Sequence, residues 1–263
     1  MSPRAVRTLE EVDFIAAEDT RVSVKLLNHF GIHKPMLSYH EHNAREMGEK
    51  IAGRLSAGES CAIITDAGMP CISDPGEFLV RMCADRGIET VAVPGPTALT
   101  AAVALSGLAT GRFAFEGFLS VSKHSRMEHL QSLREDPRTL LFYEAPHKLA
   151  ATLRDMYVAW GERRISLARE MTKIHEEVVR TTLSQAAEHY ADEANKPRGE
   201  YVLVVEGAPP KEEARPDLAQ AVRMVHALQR RGIGVSQAAK EVAKETGYRK
   251  GDLYREALIG EEE

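Results

Sequence analysis

The sequence predicts an α/β protein made of two α/β domains followed by a small helical module. Three observations predict it. Short apolar runs bounded by Gly and Pro turns alternate with amphipathic segments along the chain, as in strand–turn–helix units that build a mostly parallel sheet covered by helices. The character shifts near Arg112 towards aromatic, strand-like stretches. The 263 residues are 43% hydrophobic and 28% charged, enough apolar material for one large or two ordinary cores.

In order, Ser2-Pro3 starts a helix over Arg4–Glu11, with Ser as N-cap and Pro at the first helical position. Val12–Ala17 is an apolar strand ending at Glu18-Asp19-Thr20-Arg21. A helix Val22–Phe30 stops at Gly31, and Met36–Tyr39 is a short strand. Helix Ala44–Ala57 closes at Gly58 before the strand Cys61–Ile64. That strand opens into a long loop, Thr65 to Gly76, whose glycines permit close backbone approach and whose Asp66 and Asp74 offer acceptors. In open α/β sheets ligands bind just outside such carboxyl ends; the plainer reading is a simple connection with Asp as helix cap. Helix Glu77–Arg86, strand Glu89–Val93, the turn Pro94–Ala98 and a small-residue helix to Ser106 complete the domain 1–111. The chain begins on a helix, whereas such units normally begin on a strand.

The second domain, 112–208, reads as a more mixed sheet. Its elements are strand Phe113–Leu119, a basic loop Ser120–Arg126, helix Met127–Glu135, strand Thr139–Tyr143 and helix Leu149–Trp160. Strands Arg164–Ala168 and Glu176–Thr182, helix Leu183–Ala191 and strand Glu200–Glu206 follow. Residues 209–263 hold a Pro/Lys/Glu-rich linker, which begins at Gly207 and runs to Arg215, and helices Asp217–Arg230, Val235–Thr246 and Lys250–Leu258. Their layout matches a helix-turn-helix, and Lys211–Leu258 carries ten Lys/Arg against seven Asp/Glu in a chain of net charge -5. A packing or dimerisation module fits equally.

No apolar run approaches the roughly 20 residues that span a bilayer, and charges interrupt the N-terminus, so no membrane or secretory role is expected. Cys61, Cys71 and Cys83 show no CxxC spacing and read as reduced thiols of a cytoplasmic protein. His40 and His42 lack a second ligand cluster, so no metal is expected. Pro94-Gly95-Pro96-Thr97-Ala98 is neither a dinucleotide nor a triphosphate loop. Strand-end polar groups form the candidate chemistry: Glu18, Asp19 and Arg21; Glu144 and His147; Arg169, Glu170, Lys173 and Glu176. Internal ion pairs are the alternative for each.

Taken together, AAEDTR (16–21), TDAGMPCISDPG (65–76), PGPTAL (94–99), FEGFL (115–119), FYEAPHKL (142–149), ARE-TK-HE (168–176) and GEYVLVVEG (199–207) resemble the ribosomal RNA small-subunit methyltransferase I family. This family lies within the tetrapyrrole methylase superfamily (class III methyltransferases). The resemblance implies a homodimeric two-domain methyltransferase holding S-adenosyl-L-methionine in a cleft. It also implies 2′-O-methylation of a cytidine ribose in 16S rRNA of the small ribosomal subunit. By position it assigns Asp66, Ala67, Gly68, Ile72, Ser73, Thr97 and Ala98 to the cofactor. Tyr143, Glu144, Met171, Gly199 and Glu200 are the second domain's share. The family's first strand and Pro-Ile-Gly-Asn-type loop have no counterpart before Ser2, which implies a truncated start and a missing wall of the cleft.

Attack by a ribose hydroxyl needs its proton removed or its developing charge stabilised. Glu18, Glu144, His147, Glu170 and Lys173 are the candidates for that task, with Arg21 and Arg169 placing phosphates. A tetrapyrrole methyltransferase and a catalytically silent ribosome-binding protein are the competing readings.

Overall fold

The computed structural model describes residues 1–210 and 216–259. The chain divides into two compact units, 1–208 and 209–263.

The first unit opens on α1 (Pro3–Glu11), where the Ser2 hydroxyl accepts from the Ala5 amide at 3.2 Å and Pro3 occupies the first turn. Three parallel strands follow, in the order β2 (Met36–Ser38), β1 (Phe14–Ala17), β3 (Cys61–Ile64). They are linked by α2 (Thr20–His29) and α3 (Ala44–Ser56). Pleating sends alternate β1 side chains to opposite faces. Phe14 and Ala16 pack with Tyr39, Ile51, Leu79 and Cys83, while Ile15 and Ala17 pack with Leu9, Leu27 and Ile32. The β1 side chains are fully buried, whereas β3, at the sheet edge, is half-buried.

Beyond β3 come α4 (Glu77–Asp85) and α5 (Ala98–Ser106). The expected strand Glu89–Val93 does not form. No strand pairs with it among the described residues, so its backbone has no ladder to join, and Val91 is 60% exposed.

A five-stranded mixed sheet completes the unit, in the order β4 (Phe113–Phe118), β5 (Thr139–Glu144), β8 (Tyr201–Val205), β6 (Arg164–Arg169), β7 (Glu177–Thr182). Only β4 and β5 are parallel; β8 runs antiparallel to both β5 and β6, and β7 to β6. Leu140, Phe142, Leu203 and Val205 face α6 (Lys123–Ser132), α7 (Pro146–Trp160) and α8 (Leu183–Ala191). Leu141, Val202 and Val204 face Ala102 and Val103 of α5 on the other side. The same two-residue period thus builds both cores.

Helix α6 begins at Lys123, four residues before the expected Met127, which corrects the basic-loop reading of Ser120–Arg126. Arg126 turns inward and is only 6% exposed. Its guanidinium donates to Asp155 at 2.6 and 2.9 Å and to the Ser120 and Val121 carbonyls. Gly207 and Ala208, read as linker, still belong to the first unit, where the Ala208 amide donates to the Asp136 carbonyl at 2.7 Å. Residues 211–215 of that linker lie outside the described residues.

The second unit is a three-helix cluster of α9 (Leu218–Gln229), α10 (Val235–Thr246) and α11 (Lys250–Ile259) around Ala221, Val225, Ala239, Val242 and Leu253. Asp217 and Gln220 close a reciprocal capping box at its start.

Candidate functional site

A cavity of about 590 Å³ opens in the first unit where three groups of strand ends and turns meet. One wall is the loop after β3, which contributes Ala67, Gly68, Met69, Ile72, Ser73 and Asp74. The turn before α5 adds Gly95 to Ala98, then Thr100 and Ala101. The mixed sheet supplies Phe118, Tyr143, Glu144, Ala168, Glu170 to Lys173, and Glu200 to Val202. Most of this lining is small or apolar, with a few convergent polar groups, the usual character of a small-molecule site.

Two opposed loops are held in unusual conformations. Among the described residues the non-glycine positions with positive φ are Cys71 (74°), Ser73 (60°), Glu170 (48°) and Thr172 (67°), in these two walls. Such backbone costs on the order of 1–3 kcal/mol per residue and persists only when its surroundings hold it. Gly76, at φ 138°, is part of that restraint, since a Cβ there would come within 2.6 Å of Cys71 Sγ. On the opposite side Gly199, at φ 74°, leaves room for the Glu170 carboxylate, with which a Cβ would collide. Glu170 Oε1 accepts from Lys173 Nζ at 2.8 Å and from the Glu200 amide at 3.4 Å.

The electrostatics are acidic. Asp74, Glu144, Glu170 and Glu200 line the cavity, with Lys173 as the lining cation. Partial burial pushes the Asp74 carboxyl up from 3.8 to about 6, and the charges of Glu18, Asp66 and Glu200 add to the rise. The hydrogen bond from Lys173 draws Glu170 below its ordinary range and raises Lys173, so that pair stays ionised.

The structure brings most sequence-predicted cofactor residues together: Ala67, Gly68, Ile72, Ser73, Thr97, Ala98, Tyr143, Glu144, Met171 and Glu200 all line one space. Asp66 is exposed and does not line the cavity, its amide donating to Glu18 Oε2 at 3.3 Å, and Gly199 shapes the wall without lining it. Thr97 also caps α5, accepting from the Thr100 amide at 3.2 Å.

The acid–base candidates separate. Glu170 and Lys173 line the cavity, whereas Glu18, Arg21, His147 and Arg169 do not. Arg21 is exposed and bound to Asp19, and Arg169 donates to Glu177 at 2.6 Å. Glu144 is withdrawn as a proton acceptor because it is 1% exposed. Its oxygens accept from Thr152 Oγ1 at 2.6 Å and the Ala145 amide at 2.8 Å, and pair with Lys148 at 3.0 Å. Phe118, Ala101 and Tyr201 were not foreseen as lining. The two aromatics sit inside apolar strand patterns that read equally as core.

Residues 1–187 match the family model of Tetrapyrrole (Corrin/Porphyrin) Methylases, and residues 215–260 match that of the RsmI C-terminal HTH domain. Ribosomal RNA small subunit methyltransferase I of Synechocystis sp. is 46% identical over 98% of this chain and 92% of its own length. The Pseudomonas aeruginosa protein of the same name is 47% identical over the same shares. The chain belongs to the ribosomal RNA small subunit methyltransferase I family of tetrapyrrole methylases. In fold, this family member superposes on uroporphyrin-III C-methyltransferase from Thermus thermophilus, a structure in complex with S-adenosylhomocysteine. That superposition has a TM-score of 0.52 and 17% identity, and covers 78% of this chain and 90% of that one. It is therefore an S-adenosylmethionine-dependent methyltransferase, and no described helix is long and apolar enough to cross a membrane.

Proposed function

We propose that the chain methylates the 2′-hydroxyl of a cytidine ribose in small-subunit ribosomal RNA, working as a cytosolic homodimer of two α/β domains and a helical tail. The observation that carries the site assignment is the acidic, largely apolar cavity walled by the motif loops. Its residues fit S-adenosylmethionine. The methionine and adenine parts need small, apolar walls, and the cationic sulfonium and ammonium suit a cavity ringed by carboxylates. When bound, the cofactor supplies a methyl group already activated on sulfur. The loops 67–74 and 95–101 are its support on one side, and Tyr143, Met171 and Glu200 on the other.

The protein's remaining task is the proton of the attacking hydroxyl. A general base works best with a proton affinity near the operating pH. Asp74, raised to about 6, meets that condition, while Glu170, held low by Lys173, does not. Asp74 takes the hydroxyl proton in this reading. The Lys173 ammonium, 56% exposed at the cavity wall, offsets phosphate or developing oxyanion charge.

Incubation with small subunits lacking the modification and methyl-labelled cofactor tests this reading, with the product mapped by nuclease digestion and mass spectrometry. Label on a cytidine ribose is expected. Label on a base, or no label with active labelling of a porphyrin-type substrate, would overturn it. Gel filtration with light scattering checks the dimer.

A further inference from the structure

Phe118 is out of place as a core residue. It ends β4, yet it is 53% exposed and lines the cavity. Three features set it there. The β4–β5 register slips between Phe115 and Phe118, so that three steps on β4 match two on β5, and Gly117 takes φ 67° at the slip. Bulges of this kind re-aim side chains beside active sites. Tyr143 then supports the ring edge-on at 5.6 Å between centroids, and Phe115 backs Tyr143 at 4.9 Å.

The third feature is a buried charge pair. Lys148 Nζ donates to the carbonyl of Leu119 at 2.9 Å, directly after Phe118, and lies 5.7 Å from the Phe118 ring centroid. It is paired with Glu144, whose side chain is 1% exposed against 14% for Lys148. Burying such a pair brings little net stability, because desolvation cancels most of the attraction. What it does here is tie the start of α7 to the backbone that carries Phe118, so the ring is held while its outer face stays open.

We infer that Phe118 is a stacking platform for an unpaired base of the RNA substrate at the cavity mouth. The inference rests on the methyl-transfer reading above. Unpaired bases dock on open aromatic faces and stack without regard to sequence, and the Phe118 ring is 53% exposed beside the cavity.

The test compares Phe118→Ala and Phe118→Trp with the native chain. Stacking on one base contributes enough to change affinity by about 5- to 150-fold. Phe118→Ala is expected to weaken binding of a labelled cytidine-containing hexaribonucleotide, read by fluorescence anisotropy, and to raise KM on unmodified small subunits by that factor. Affinity for S-adenosylmethionine, measured by calorimetry, stays within about twofold, and Phe118→Trp restores both RNA readouts. Cofactor affinity falling in step with RNA affinity would assign the ring to the cofactor and overturn the platform. Unchanged RNA affinity in Phe118→Ala would overturn it as well. If the native chain fails to methylate subunits, the reaction reading fails, yet the hexaribonucleotide measurement still decides the platform.

Discussion

Asp74→Asn should yield a protein that is more stable and inactive. The folded protein holds the Asp74 proton up to about pH 6, whereas the unfolded chain releases it near 3.8. Between those values the native state binds more protons, so stability falls as pH rises through the window and stays lowered above it. Two pKa units correspond to at most about 3 kcal/mol, and because Asp74 is only half-buried, water reduces that to about 1–2 kcal/mol. Asparagine keeps the shape and removes the charge. For a unit of 208 residues the gain is about 2–8 °C in Tm. Calorimetric scans of both proteins near pH 8 and near pH 4 read it: the gap should be full at the higher pH and close at the lower. Methyl transfer by the variant should drop by about 10²-fold or more, the usual worth of a positioned base. A gap independent of pH, or a variant less stable near pH 8, would refute the account of Asp74. Full activity in the variant would remove it as the proton acceptor.

Other outcomes follow from the same geometry. Asp155→Asn leaves the buried Arg126 guanidinium without its counter-charge and should cost about 3–5 kcal/mol in urea unfolding; the double change Arg126→Met, Asp155→Met should recover most of it. Gly199→Ala adds a methyl group against the Glu170 carboxylate at a positive φ, so it should lower Tm and weaken cofactor binding together, checked by calorimetry. Burial pushes the Cys61 thiol up to about 12, so native protein at mildly alkaline pH should resist alkylation there, and mass spectrometry of iodoacetamide-treated protein would show modification only after unfolding.

Much of the fold is legible in the sequence because its signals are local. Ser2-Pro3 caps α1 through its own hydroxyl, Gly31 and Gly87 end helices at positive φ, and Leu140 to Tyr143 alternates between two cores wherever the strand is placed. The loop Thr65–Gly76 and the turn Pro94–Ala98, which line the cavity, were legible as Gly/Pro turns of an α/β unit, whereas Tyr143, Met171 and Glu200 were named only by the family resemblance. Strand pairing is not local. Glu89–Val93 has the composition of a strand, but composition supplies no partner, and the segment stays unpaired.

Charge was the least legible property, since a side chain's ionisation and availability depend on what folds against it. Arg126 reads as part of a basic loop and is an internal anchor. Glu144 reads as a base and is consumed by Thr152, Ala145 and Lys148. Asp74 reads as one acceptor among two in its loop, and burial beside three other carboxylates raises its carboxyl to about 6. By itself the sequence determined the class of fold, because that follows from periodicity and turn chemistry, while the kind of ligand came from the family resemblance of its motifs. Only the tertiary structure decided which charges remain free to act, because desolvation and pairing are set by neighbours distant in the chain.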